Sequence, residues 1–293
     1  MEGRIGVWHA KLGSGPTQPA REAAAEIEAM GYGSVWVNEA PGGRAPFTSA
    51  AVLLAATERV SVATGIASIW ARDAAATAAE SDTLGDAFPG RFVLGLGVSH
   101  DILVQLRGHD YSKPLAAMRA YLTAMDTVET DVPEPARPAP RLLAALRPRM
   151  LELAREHADG AHPYFVPLEH TALAREILGP DRLLVPEQAV LVEPDPDTAR
   201  RVAREHMSVY LMLPNYVNNL RTLGFDDADF ADGGSDRLVD ALVAWGDEEA
   251  VAARVHAHLA AGADHVAIQP LTAGGPDLAD ALTQLRRLSA PLL

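Results

Sequence analysis

The amino-acid sequence predicts an α/β fold, a (β/α)8 barrel in which residues 1–293 form one domain. Three observations carry this prediction. Short apolar segments alternate with amphipathic helical segments from end to end. Strand-like segments recur eight times, the number that closes a barrel. No hairpin signature joins neighbouring segments, so each strand returns through a helix and the sheet is parallel.

The first strand is Ile5-Gly6-Val7-Trp8, followed by a helix with Ala20, Ala23, Ala24, Ile27 and Met30 at helical spacing and Gly31 at its C-terminal stop. Val35-Trp36-Val37 is the second strand, and small apolar residues up to Thr57 form the next helix. The third strand runs from Val60 to Ile66, and a helix opens near Asp73, read as its cap. Phe92 to Val98 is a buried fourth strand entered through Pro89-Gly90. Ser112 is expected to cap the following helix, with Pro114 in its first turn and Leu115, Met118, Leu122 and Met125 on one face. Residues 130–140 carry four prolines and read as an extended surface loop. Leu142 to Leu146 is the fifth strand, and Pro148 starts a helix. The sixth strand lies around Gly160 to Phe165 and the seventh around Ala189 to Val192, before the helix start Asp195-Pro196-Asp197. Residues 208–240 break the rhythm and read as an insertion after the seventh strand. A helix from Asp247 leads to the eighth strand, His265 to Ile268, and the last helix presents Leu278, Leu282, Leu285 and Leu288. An open doubly wound sheet competes with the barrel, but no G-x-G-x-x-G opens a first βα unit. Gly95-Leu96-Gly97 matches only half of that pattern.

Composition narrows the function. Hydrophobic residues make up 48% of the 293, enough for a sizeable core. Acidic residues outnumber basic ones 39 to 25, a net charge of −14 that disfavours nucleic-acid backbones. No apolar run has the length of a membrane span. There is no cysteine, hence no thiol nucleophile or cysteine metal site. The first residues lack the apolar core of a signal peptide, and a cytoplasmic setting is expected. Neither a G-x-S-x-G elbow nor H-E-x-x-H spacing occurs, so a serine hydrolase is not indicated and no metal site is expected.

A (β/α)8 barrel keeps its chemistry at the carboxyl ends of the strands. That rule selects Trp8-His9, Asn38-Glu39, Ala67 to Trp70, Val98-Ser99-His100, His162-Pro163-Tyr164 and Gln269-Pro270, with Glu187-Gln188 approaching from the seventh repeat. Glu39 is the preferred proton-transfer candidate, provided an apolar surrounding such as Trp8, Trp36 or Trp70 raises its pKa. His9 and His100 are its substitutes. His157 and His170 lie in helical segments and are expected to face solvent.

Several segments together resemble the luciferase-like oxidoreductases. Phe88-Pro89-Gly90-Arg91-Phe92-Val93-Leu94-Gly95-Leu96-Gly97-Val98 is similar to that family's entry into strand four, and Ala63 to Ile69 to its third strand. Ala144-Ala145-Leu146-Arg147-Pro148 and His157-Ala158-Asp159-Gly160-Ala161 resemble two further family elements at the expected separation. Leu213 to Leu220 and Leu238 to Gly246 are similar to an actinobacterial subgroup that uses the deazaflavin coenzyme F-420.

The resemblance implies a barrel, often dimeric, with an insertion after strand seven and FMN or F-420 at the strand ends. It implies a non-prolyl cis peptide in strand three, placed by position at Ala67–Ser68. It assigns cofactor contacts to Asn38, Ala67, Ser68, Gly97, Val98, Ser99, Ala145 and Arg147. Two positions depart from the family pattern. F-420 members end strand two in a carboxylate or amide followed by a catalytic histidine, where this chain has Asn38-Glu39. Leu146-Arg147 stand where related enzymes have paired glycines, so Arg147, Arg149 and the helix start at Pro148 are expected to form a different anion site. The function implied is hydride transfer between F-420 and an organic substrate. The alternatives are an FMN-dependent monooxygenase and a flavin-binding barrel without turnover.

Overall fold

A computed structural model describes residues 1, 3–129 and 132–293. Its elements run β1 (Ile5–Trp8), α1 (Ala10–Ser14), α2 (Thr17–Ala29), β2 (Ser34–Val37), α3 (Pro46–Leu54), β3 (Ser61–Thr64), β4 (Ala67–Ser68), α4 (Ala74–Ala87) and β5 (Phe92–Gly97). There follow α5 (Asp101–Leu106), α6 (Pro114–Asp126), β6 (Arg141–Leu143), α7 (Pro148–His157), β7 (Gly160–Ala161), α8 (Leu168–Leu178), β8 (Leu183–Leu184) and β9 (Glu187–Val192). The chain continues through α9 (Pro196–Leu211), α10 (Pro214–Thr222), α11 (Asp227–Phe230), α12 (Asp236–Leu242), β10 (Val243–Gly246), α13 (Glu248–Ala260), β11 (Val266–Pro270) and α14 (Leu278–Leu292).

Every strand pairing is parallel, in the order β10-β9-β11-β1-β2-β3-β5-β6-β7-β8, with β4 beside β5. The sheet curls strongly. Val185 N donates to Ala161 O at 2.9 Å and Ala267 N donates to Pro186 O at 3.0 Å, so the β8–β9 segment bonds to strands on both sides.

Alternation along the strands sorts the side chains. Val35 and Val37 pack outward with the helices, whereas Trp36 points inward with Trp8, Ala63, Val93, Leu142, Val185 and Ala267. Trp36 is fully buried, its Nε1 donates to Ser34 Oγ at 2.7 Å, and its ring stacks on His162 at 4.2 Å. This inner layer plugs the curl from below and leaves its upper end, at the strand carboxyl termini, open. Helix starts follow the expected chemistry. Asp73, Asp195, Asp247 and Asp277 accept backbone N–H bonds as caps, and prolines occupy the first turns of α3, α6, α7, α9 and α10.

The structure corrects several expected boundaries. Strand three ends at Thr64, the fifth strand is Arg141–Leu143, and the sixth is only Gly160–Ala161. Lys113, not Ser112, precedes α6, in a left-handed conformation (φ 52°) without a side-chain cap bond. Three short strands were not anticipated: β4, β8 and β10. Each has two to four residues, too few for a visible alternation. Residues 208–240 are mainly helical and share a second apolar cluster with α9 and β10. The expected loop at 130–140 falls partly on residues 130 and 131, outside the described residues. Among the described residues no helix is long and apolar enough to cross a membrane.

Candidate functional site

The open end of the curl holds a cavity of about 850 Å³. Its wall is built from strand ends: Trp8 closing β1, Asn38 and Glu39 after β2, Gly65 and Ile66 after β3, and Gly97 closing β5 with Val98 to His100 after it. Leu146 to Met150 at the start of α7, His162 and Tyr164 after β7, and Tyr210 and Tyr216 from the helical segment complete it. Of the residues expected from sequence, Asn38, Glu39, Gly97, Val98, Ser99, His100 and Arg147 line this cavity.

Glu39 does not sit in the apolar setting expected for a proton donor. Its Oε1 accepts from Arg72 at 2.9 Å and lies 3.4 Å from Arg107, and its Oε2 accepts from the Ser68 backbone N–H at 2.8 Å and from Arg72 at 3.1 Å. The carboxylate side chain is only 6% exposed and doubly ion-paired. It therefore anchors the loops after β3 and β5 to the end of β2. Trp70 reinforces the same rim, its Nε1 donating to Val98 O at 2.9 Å.

His100 lies in the loop between β5 and α5. Its Nδ1 lies 3.1 Å from Asn215 Oδ1, which ties this loop to the first turn of α10. An amide oxygen only accepts, so Nδ1 carries the proton and Nε2 has a free lone pair. Burial lowers the pKa of His100 against the opposing pull of Asn215, which keeps the ring neutral. Ser99 takes a left-handed backbone (φ 59°), and its carbonyl accepts from Tyr111 Oη at 3.2 Å.

At the α7 start, Arg147 and Arg149 are exposed, make no ion pair among the described residues, and line the cavity mouth, while Pro148 has no N–H and Met150 N and Leu151 N donate back to Arg147 O at 3.0 and 3.2 Å. Two orphan acceptors line the wall. Asn38 Oδ1 has no partner, and neither has His162 Nε2, whose ring donates from Nδ1 to Val185 O at 2.7 Å. Burial lowers the His162 pKa to about 4, so its free nitrogen is an acceptor.

Four expected residues lie off the cavity. His9 caps α1, its Nδ1 accepting from Lys11 N at 3.3 Å, and burial lowers its pKa to about 4. Ala67 and Ser68 form β4 against Leu96 and Gly97, one layer behind the wall, and Ala145 is fully buried. The cis peptide joins Gly65 and Ile66, not Ala67 and Ser68. It lies immediately after β3, where Trp8 Nε1 donates to Gly65 O at 2.8 Å. Gly95 serves packing rather than phosphate binding, since an added Cβ would lie 2.0 Å from Thr64 O. His170, expected in solvent, is fully buried and lies 2.6 Å from Leu146 O. Sequence reasoning missed Arg72, Arg107 and Tyr111, which no spacing distinguishes. It also missed Tyr210 and Tyr216 as wall residues. For Tyr216 a signal existed, because Pro214-Asn215-Tyr216 is a helix start inside a segment that breaks the repeat.

Comparisons with known proteins give the family and the fold. The model of the luciferase-like monooxygenase family matches residues 5–265. The chain is 28% identical over 163 residues to a 5,10-methylenetetrahydromethanopterin reductase of Methanolobus tindarius, a match covering half of each chain; the present chain thus spans about half the length of that relative. A coenzyme F-420-dependent tetrahydromethanopterin reductase from Methanopyrus kandleri superposes with a TM-score of 0.73 at 17% identity, over 99% of both chains. The oxygenating constituent of a 3,6-diketocamphane monooxygenase from Pseudomonas putida, solved with FMN, gives 0.71 at 13% identity, over 99% of this chain and 98% of its own. At these identities the two structures establish a shared fold.

Proposed function

The chain belongs to the luciferase-like monooxygenase family, a family of oxidoreductases, and from that premise we propose that it transfers hydride between coenzyme F-420 and an organic substrate. The curled sheet is read as a (β/α)8 barrel in one domain, supported by the bonds from the β8–β9 segment to both neighbours, with residues 208–240 inserted after its seventh strand.

The observation that carries the reading is a largely apolar cavity whose one mouth bears two arginines at a helix start, unpaired among the described residues. The residues fit a phosphate-bearing ring cofactor. Arg147 and Arg149 would hold the phosphate by charge-assisted bonds. Asn38 Oδ1 offers an unpaired acceptor to a ring N–H, and Gly97, Val98 and Ser99 offer backbone to a ring face. At about 850 Å³ the cavity lies near the upper end of the ~300–1,000 Å³ typical of ligand sites, which leaves space for a second, smaller molecule. When bound, the deazaflavin supplies the hydride-carrying carbon. His100, neutral and fixed by Asn215, accepts or returns the substrate proton at Nε2. Glu39 holds the rim in place through Arg72 and Arg107 rather than moving a proton.

The second reading, an FMN-dependent monooxygenase, draws on the FMN-bound structure of the same fold. Fluorescence titration of the purified protein with F-420 and with FMN separates the two. The proposal expects F-420 to bind the more tightly and substrate turnover to consume no oxygen. FMN binding tenfold tighter, about 1.4 kcal/mol, together with oxygen uptake, overturns it.

A further inference from the structure

One wall of the cavity plays no part in the roles assigned above. Tyr164 follows β7, Tyr210 ends α9 and Tyr216 opens α10, and the three rings lie within 5.3 to 6.2 Å of one another. Tyr164 Oη donates to Gln269 Oε1 at 2.7 Å and lies 2.6 Å from Tyr210 Oη. A phenol has a single proton. With that of Tyr164 committed to the amide oxygen, Tyr210 donates in the second bond, and its oxygen meets the cavity as an acceptor. Turning the Gln269 amide by half a revolution presents an N–H to Tyr164 and reverses both bonds. Tyr210 then meets the cavity as a donor. Burial pushes the Tyr210 phenol up to about 12, which keeps the proton in the chain at ordinary pH.

We infer that the Tyr210–Tyr164–Gln269 chain is the recognition point for a substrate hydroxyl or carbonyl, and that the substrate is a neutral, largely apolar alcohol or the ketone or aldehyde derived from it. The surroundings restrict the class. Val209, Leu213 and Tyr216 give this wall apolar surface. Among the described residues the only acidic side chain lining the cavity is Glu39, which two arginines already engage, so an ammonium would find no counter-ion. Glu187, behind the wall, has its Oε2 bonded from Phe165 N and lies outside the lining. The inference rests on the hydride-transfer reading for the conversion itself. An alcohol whose oxygen accepts from Tyr210 would keep its own O–H for His100, which would take that proton as the hydride passed to the bound oxidised deazaflavin and the carbonyl compound left. A carbonyl oxygen only accepts and needs the donor form of Tyr210, whereas an alcohol can bind either form of a chain that reverses on one amide turn.

Ligand-observed NMR titration tests this with cyclohexanol, cyclohexanone and cyclohexylammonium, on the protein alone and on the protein saturated with F-420. In at least one form the alcohol and ketone should bind within about threefold of each other and the ammonium at least roughly tenfold more weakly. Tyr210→Phe should weaken both neutral ligands roughly fivefold or more while lowering Tm by only about 2–4 °C, the cost of its bond to Tyr164. Gln269→Leu leaves Tyr164 free to donate only toward Tyr210, and should move the affinity ratio toward the ketone by about threefold or more. The proposal falls if neither neutral probe binds in either form, if Tyr210→Phe changes nothing, or if the ammonium binds equally well. Failure of the hydride-transfer reading looks different: F-420 does not bind, while cyclohexanol still does so in a Tyr210-dependent way.

Discussion

Glu187 opens β9 as a carboxyl with almost no access to water, 2% exposed, and one of its oxygens has no partner. Burial raises its pKa from 4.5 to about 8, against the smaller opposing effect of the Phe165 N–H. In the folded chain the group therefore holds its proton up to about pH 8, whereas in the unfolded chain it loses it near 4.5. Between those values the fold binds one proton more than the unfolded chain. Its contribution to stability is complete below pH 4.5 and is lost as pH rises toward 8. At ~1.4 kcal/mol per pH unit the full window is worth at most about 5 kcal/mol. Glu187→Gln mimics the protonated acid at every pH. The variant should match the parent near pH 5 within about 1 kcal/mol and exceed it by roughly 3 kcal/mol or more at pH 8. Urea unfolding followed by tryptophan fluorescence from pH 5 to 8.5 measures the difference. Other titrating groups act alike in both proteins and cancel in it. A difference that stays flat over this range would refute the reasoning, because Glu187 would then be ionised or hydrated in the fold.

The remaining predictions concern the acid side, the strand packing and the cavity mouth. Burial lowers His9, His162, His206, His258 and His265 each to about 4, so the stability they give is present above 6.5 and is lost as pH falls toward 4; circular dichroism should show cooperative acid unfolding in that window. Gly95→Ala places a Cβ 2.0 Å from Thr64 O, and a thermal melt should show a loss of roughly 1–3 kcal/mol or more. Arg147→Ala should weaken binding of a phosphate-bearing cofactor by roughly tenfold or more and reduce its salt dependence; equal affinity at low and high salt in both proteins would place the phosphate elsewhere.

The strand–helix rhythm was legible because it rests on local chemistry. Asp73, Asp195 and Asp247 cap helices as aspartate before a helical run should, and Trp36 alternates inward between two outward valines. The misplaced features depend on partners distant in sequence. Strand five stops at Leu143 because its neighbour β7 offers only two paired residues. The cis bond sits at Gly65–Ile66, two residues before the expected place, where the ring of Trp8 from another strand approaches Gly65. Glu39 illustrates the same limit most clearly. Its position at a strand end marks it as a mouth residue, and it lines the cavity. Its partners Arg72 and Arg107 come from two other loops, 33 and 68 residues away, and no periodicity announces them.

Those partners bear on how a chain with a net charge of −14 can present an anion site. Arg72 and Arg107 reach the cavity region but are engaged by Glu39, so they add little free positive field there. Among the described residues Arg147 and Arg149 make no ion pair, and they stand at the positive end of the α7 dipole. Salt screens charges beyond about 8 Å at physiological ionic strength, so the acidic surface elsewhere weighs little against two arginines in contact with a ligand. The cavity is thereby polarised. Its α7 end suits a phosphate, and its tyrosine wall, free of unpaired charge, suits a neutral molecule. His100, held by Asn215, belongs to the same lining between the strand-four loop and α10. That division of one cavity into a charged end and a neutral end is what a transfer between an anionic cofactor and an uncharged substrate requires.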